Sequence, residues 1–549
     1  MPLRVSGLRL PVGGDENELP ERAMRRAGLD PAEVKAAVVA RKSLDRRRGR
    51  PVFEYALDLH LVDEAAVRSR RGTREDAQVR FVDPVSLPEE PAGSEPLEHP
   101  PIVVGSGPAG LFAALHLARR GFPPLLLERG EPMNLRVRRI RRMNAEGVLD
   151  PESNYLFGEG GAGTFSDGKL TSRSKDPRSA WVLEEFRRLS GVAEVSFHYR
   201  PHLGSERIRV VVGRIRRELQ RLGARILFGC RVEGLLLRSG RLAGVRTNQG
   251  EIPGEVVILG PGHSARSLVR ELLRQGVPIE RKPFQMGYRV EHPQGLIDRA
   301  VWRDLAGHPD LGIADYRFSV RMGSCSVFSF CMCPGGEIMA AVCDLDHMNT
   351  NGMSHTGRST GFANSGVVTT IEPGAFPGAG PLAGMELQER HEARAAELCG
   401  HGLKVPAQRL LDFLEGRPSD DLPESSCRTG LAPVDLRAVA PPPVAEAIRG
   451  ALPAIGRQIP GFVGKEALLV GPEARSSAPF RILRDPRTLE SPAVPGLLPV
   501  GEGAGYAGGI VSAATDGLRA AQAVIARFAP RRPIEPSGLR QGEAKRMKG

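Results

Sequence analysis

Pro101-Ile102-Val103-Val104-Gly105-Ser106-Gly107-Pro108-Ala109-Gly110, running on through an apolar stretch to Leu125-Leu126-Leu127-Glu128, decides how the chain folds. It reads as apolar strand, glycine turn, helix, second apolar strand and acid, which is the dinucleotide fingerprint in its full context. Gly105 permits the tight turn, Gly107 lets a pyrophosphate approach the backbone, and Gly110 lets the helix pack closely on the strand. The helix opening at Pro108 and Ala109 aims its unpaired N–H groups and positive dipole end at phosphates. Glu128, followed by Arg129, stands 18 residues past Gly110, where a carboxylate can accept hydrogen bonds from ribose hydroxyls.

Composition bounds the rest. With 549 residues, 41% hydrophobic and 26% charged, the chain reads as a globular protein of about three to four domains. No run of 18 apolar residues and no secretory signal is apparent, so no membrane span is expected. Seven cysteines without a C-x-x-C spacing indicate free thiols, a reducing compartment and hence the cytoplasm. The net charge of +12 comes from scattered arginines, which argues against a nucleic-acid face.

Residues 1–84 read as a small α+β module. Strands are expected over Leu3–Leu10 and Val52–Val62, with helices over Leu19–Arg26 and Pro31–Ala40, the second capped by Asp30. The basic stretch Arg41–Arg48 is either a solvated loop or a docking surface for an acidic redox carrier. Prolines 84, 88, 91, 96, 100 and 101 mark 85–100 as a stiff linker. The nucleotide fold then occupies 101–280 and resumes over 441–529, around an inserted, mainly β substrate domain at 281–440. A basic, disordered tail is expected at 530–549.

Three further glycine clusters are expected at the cofactor. Gly160, Gly161, Gly163, Thr164 and Ser166 lie in a loop able to donate N–H groups. Gly260 and Gly262 end the apolar strand Val256–Leu259. Gly501, Glu502, Gly508, Gly509 and Ile510 lead from a short strand into a helix that runs to about Phe528; its N-terminus suits the electron-rich end of a flavin. The Gly260 turn could alternatively open a second, NAD(P)-binding fingerprint with Glu280 as its acid. The interval of 15 residues from Ala265 to Glu280 and the proline at 278 favour completion of the first sheet instead.

In Val327–Gly336, regular alternation would place Phe328, Phe330 and Met332 on one face and Ser329, Cys331 and Cys333 on the other. A disulfide across two residues of a regular strand is strained, at about 6.5–7 Å between Cα atoms. The pair is therefore open to three readings: buried cysteines, cavity lining, or redox chemistry. No metal site is expected. His263 and Arg475 are the other candidates for catalysis, with Ser476 and Ser477 beside Arg475 as anchors for an anion or carbonyl.

With these motifs placed, the chain resembles the bacterial FAD-dependent dehydrogenases, glutathione-reductase-like flavoproteins akin to geranylgeranyl reductases. The resemblance is carried by Gly105–Gly110, Phe157–Leu170, Gly262–Arg266, Phe330–Gly336 and Gly501–Ile510. It implies a three-layer α/β Rossmann-like domain, bound FAD with Glu128 on its ribose, and an oxidoreductase acting on a small molecule. Glu502 stands where many relatives carry Asp. Three routes stay open within this reading: a reductase with NAD(P)H as a transient reductant, a reductase fed by a protein carrier that docks on the N-terminal module, and a dehydrogenase that oxidises its substrate. The rival readings are a FAD-dependent tRNA-modifying enzyme and a binding protein in which FAD is structural.

Overall fold

The computed structural model describes residues 1–47, 50–71, 76–88, 90–171 and 176–530; the expected tail lies almost wholly outside them. Five short strands, Leu497–Pro499, Val257–Leu259, Ile102–Val104, Leu125–Leu127 and Arg225–Leu227, form a parallel sheet in that spatial order. All but the last are buried throughout, as an apolar parallel sheet covered on both faces requires. Helices Pro108–Arg119 and Ile510–Arg527 pack together on one face, close enough that a Cβ on Gly517 would lie 2.0 Å from the Ala109 carbonyl. Across the sheet lie the three-stranded meander 232–253 and helix Arg266–Arg274. The chain thus has a three-layer Rossmann-like domain, as the glycine fingerprint predicts.

Val257–Leu259 pairs with Ile102–Val104 in parallel register, so the Gly260 turn completes the first sheet. Ile279–Arg281 instead pairs with Phe480–Ile482 in a separate two-stranded ribbon, where Glu280 faces Arg481. The second-fingerprint alternative falls with it.

The inserted body is a seven-stranded sheet in the order 319–322, 325–334, 362–371, 284–293, 468–473, 405–409, 431–433. Two features correct the sequence reading. Leu468–Glu473 lies inside this sheet, paired with Phe284–Pro293 and Val405–Arg409, so the insert runs well beyond residue 440. The triple proline at 441–443 does not break the domain; Pro442 opens helix Pro442–Gln458, where its missing N–H costs nothing. That helix buries Val444, Ile448, Leu452 and Ile455 against the sheet, and with Ala383–Leu398 it makes the insert α+β rather than mainly β.

The N-terminal module is a βαββαβ unit with strand order 34–45, 52–61, 3–11, 79–81, all antiparallel. Asp30 caps as expected, through a capping box with Glu33, but it opens a single 3-10 turn, Pro31–Glu33. Residues 34–45 then form a strand instead of the expected helix, because Val34, Val38 and Val39 pair with Val52–Leu61 and sheet pairing outweighs alanine's helix preference. Most of the basic stretch falls on this strand. Lys42 bonds Glu16 at 2.6 Å, Arg47 bonds Asp45 at 3.0 Å and Arg46 stacks on Trp302 of the insert. These charges attach the module to its own chain, and Arg48 lies outside the described residues.

The proline-rich segment is likewise held. Gly93 and Glu95 N–H groups donate to the Ile525 and Arg527 carbonyls at 2.9 and 3.2 Å, and Glu255 accepts from Glu98, His99 and the His99 ring. It is a strap across the end of the terminal helix, not a free linker.

Candidate functional site

A cavity of about 620 Å³ runs between the Rossmann sheet and the insert, within the size range of cofactor and ligand sites. Its walls include nearly every expected cofactor residue: Gly105, Gly107, Pro108, Ala109, Glu128, Arg129, Gly161, Gly163, Ser166, Gly260, Gly262, Gly501, Glu502, Gly508, Gly509 and Ile510. Gly110, Gly160 and Thr164 stand behind the wall. Gly110 is a packing position, since a Cβ there would lie 1.8 Å from the Gly105 carbonyl. Gly160 serves the loop, its N–H bonded to Ser106.

Gly105 sits at φ +90°, and a Cβ on it would strike the Gly260 carbonyl at 2.2 Å, so the two glycine turns interlock. Gly107 differs: its φ is −70° and a Cβ would find only Gly161 Cα, at 3.9 Å. The space beside it belongs to the cavity. Helices Pro108–Arg119 and Ile510–Arg527 both begin at this wall with no side-chain cap. Two helix ends with unpaired N–H groups and positive dipoles facing one cavity form an anion-binding arrangement.

Glu128 is buried and accepts four hydrogen bonds. Ser106 N–H and Oγ–H donate to Oε2 at 2.9 and 2.5 Å; Gly130 and Gly158 N–H groups donate to Oε1 at 2.9 and 3.1 Å. It ties the first glycine turn to the loop at 158. Arg129 stacks on the Phe157 ring at 3.6 Å and bonds Glu152, closing that end of the cavity.

Sequence reasoning missed the organiser of the glycine-rich loop. Arg136 is fully buried and donates to the carbonyls of Asn154, Tyr155, Gly158, Glu159 and Gly161 at 2.7–3.2 Å. Burial lowers its pKa to about 10 against the pull of Glu128 and Glu159, so it remains a cation at neutral pH. The signal was available: Met133, Arg136, Ile140 and Met143 form the buried stripe of their helix, and an arginine on an apolar stripe calls for internal acceptors.

At the opposite end the insert supplies Gln285, Asp315, Tyr316, Ser329, Phe330, Cys331 and Asn351. The expected alternation of Val327–Gly336 is broken by a bulge between Phe330 and Cys333, with Cys331 at φ +43°. Cys331 lines the cavity and Cys333 is fully buried behind it. Lys169 donates to the Met332 carbonyl and lies 3.5 Å from Asp167, which His202 and Arg358 also face. Although burial disfavours the charged form, Lys169, the hydrogen bond with His202 and Arg358 hold Asp167 well below the usual carboxylate range.

Arg475 reaches the cavity wall but is held by Glu392 at 2.7 and 2.9 Å, a carboxylate shared with Arg266. It is a structural member of a buried network, not the free anion anchor expected. Ser476 and Ser477 donate to the backbone and side chain of Gln285. His263 lines the cavity, and burial together with Arg475 lowers its pKa to about 3; its ring is neutral at physiological pH.

Burial raises the Glu502 carboxyl to about 7 despite the nearby Lys282. A folded-state value above the unfolded one of about 4.3 means that the folded chain binds the extra proton between them. Glu502 therefore contributes stability below about pH 4.3 that is lost as pH rises through about 7. The Glu502→Gln variant is expected to flatten this part of the pH dependence, measured as thermal midpoints of the flavin-free chain across that window. An unchanged slope would place the titration elsewhere.

Comparison with known proteins agrees with this geometry. Residues 283–476 match the family described as FAD-dependent protein, C-terminal domain-like, and 103–162 match the NAD(P)-binding Rossmann-like domain. A protein of Clostridium beijerinckii is 36% identical over 533 residues, covering 96% of this chain and 99% of its own. Protein FixC of Salmonella typhi is 24% identical over 210 residues, 36% of this chain and 44% of its own. Among solved structures, L-proline dehydrogenase from P. horikoshii covers 81% of this chain and 96% of its own at 12% identity and a TM-score of 0.37. The chain is an enzyme that uses FAD, and with its Clostridium relative it belongs to the FAD-dependent oxidoreductase family.

Proposed function

We propose that the chain moves a hydride or electron pair between FAD and a small molecule held at the insert end of the cavity, with a nicotinamide as a transient reductant. The observation that carries this reading is the pair of uncapped helix ends at one wall facing a polar, insert-derived wall across a single cavity. In this reading the turn at Gly107 and the N-terminus at Pro108 receive the pyrophosphate. Glu128 exchanges part of its internal bonding for the ribose hydroxyls, and Gly508 to Ile510 face the electron-rich end of the flavin. Bound FAD supplies the two-electron chemistry.

The chain's own residues do the rest. The second helix end stabilises negative charge beside it, Lys169 keeps a cation at the substrate end, and the insert's sheet excludes water from between the two walls. Lack of a second dinucleotide unit among the described residues supports a reductant that docks only for its step. The seven free thiols support a reducing, cytoplasmic setting.

Anaerobic addition of NADH and then NADPH, followed by the visible flavin spectrum, tests the proposal. Bleaching by one of them is expected. A flavin that stays oxidised with both but bleaches with dithionite would overturn the nicotinamide route.

A further inference from the structure

The bulge at Cys331 changes what its pair with Cys333 can do. Three residue steps from Phe330 to Cys333 span only two on the partner strand, Gly366 to Asn364. At about 3.3 Å per step in a regular strand, the span from Phe330 to Cys333 shortens from about 10 Å to about 6.6 Å, which brings the two cysteines nearer than regular geometry would and into the range that a disulfide can bridge. The extra residue thus removes the strain that regular geometry would impose.

Two cations bracket the bulge. Arg289, fixed by Glu473 at 2.8 Å, donates to the Cys331 carbonyl at 3.3 Å, and Lys169 donates to the Met332 carbonyl. Cys331 is also held in the left-handed region at φ +43°, a conformation that a side chain other than glycine rarely adopts and that concentrates at functional sites. Cys331 is a partly exposed residue of the cavity wall, and Cys333 belongs to the core behind it.

We propose that Cys331 and Cys333 are a redox-active dithiol in which Cys331 meets low-molecular-weight disulfides in the cavity and Cys333 resolves the adduct. The Cys331 thiolate attacks one sulfur of R–S–S–R, forming a mixed disulfide and expelling RS⁻, which takes a proton from solvent. Cys333 then loses its proton and its sulfur attacks Cys331, displacing the second thiolate, which leaves as RSH. Two electrons pass from the protein pair to the small disulfide, giving one Cys331–Cys333 bond and two RSH. The electrostatics agree: the Cys333 thiol, Lys169 and Arg289 hold Cys331 below the ordinary thiol value, while burial pushes Cys230, Cys343, Cys399 and Cys427 up.

The test uses the full chain with hydroxyethyl disulfide as probe, then acid quenching, denaturing alkylation with iodoacetamide and peptide mass mapping. The Cys331–Cys333 peptide is expected unalkylated and two hydrogens lighter, with Cys230 and Cys343 fully alkylated. In Cys333→Ser, Cys331 is expected to retain the hydroxyethylthio group. On the native, reduced wild-type protein, iodoacetamide at neutral pH is expected to label Cys331 at least about tenfold faster than the other cysteines. Full alkylation of both cysteines after the probe, or labelling of Cys331 no faster than of Cys230, would overturn the proposal, and neither wild-type measurement depends on a variant that folds.

Discussion

Replacing Arg136 by methionine is expected to abolish flavin retention and to lower the thermal midpoint by about 5 °C or more. One guanidinium satisfies five carbonyls of the segment 154–161, and methionine fills similar space with no donor. Buried carbonyls that lose a charged donor cost on the order of 1–3 kcal/mol each unless the loop opens to water. The loop will open, because its glycines permit it, and the segment that bonds Glu128 through Gly158 then leaves the cavity wall. Arg136→Lys is expected to fall between, since an ammonium offers three donors and no fork. Thermal unfolding of flavin-free protein together with FAD titration checks both effects; a methionine variant that retains FAD with wild-type affinity would show that the loop holds its shape by other means.

A single added methyl group separates binding from folding. Gly107→Ala is expected to fold with unchanged stability, because its backbone is extended and the new Cβ meets only one protein atom at van der Waals distance. Its affinity for FAD is expected to fall by about 10- to 100-fold, the equivalent of about 1.4–2.8 kcal/mol, because that methyl takes the space through which a pyrophosphate reaches the backbone. Gly110→Ala is the converse: its Cβ would lie 1.8 Å from the Gly105 carbonyl, so the helix must leave the sheet and the domain loses stability outright. Circular dichroism and FAD titration on the two variants distinguish a ligand-facing glycine from a packing glycine. Wild-type affinity in Gly107→Ala would contradict the assignment.

The legible part of the sequence is local. Gly105, Gly107 and Gly110 each have a steric reason that needs only a strand before and a helix after, and the structure shows two of those reasons as collisions and the third as open space. The short parallel strands were legible because strands buried on both faces read as uninterrupted apolar runs. What failed depends on partners distant in sequence. Residues 34–45 have the composition of a helix and become a strand because Val52–Leu61 is there to pair with them. Leu468–Glu473 belongs to the insert because its partner Phe284–Pro293 lies some 180 residues earlier, a relation that no proline or glycine marks. The bulge at Cys331 is invisible to alternation, since one extra residue reverses the face of everything beyond it.

Long side chains at the site were hardest to place. Arg475 in an Arg-Ser-Ser run looks like an anchor for an anion until Glu392, from a helix more than 80 residues earlier, takes both ends of its fork. Arg136 is one of five arginines in residues 136–142, and only its position on the apolar stripe sets it apart.

Equilibrium binding of FAD and riboflavin to flavin-free protein shows whether the wall formed by Gly107, Glu128 and the two helix ends is built for the dinucleotide part of FAD. FAD is expected to bind at least about 100-fold tighter, because riboflavin lacks the pyrophosphate and the adenosine ribose, and charged hydrogen bonds contribute about 1.5–3 kcal/mol each. Equal affinities would mean that the isoalloxazine alone is recognised, and the assignment of the glycine turn and Glu128 would fail.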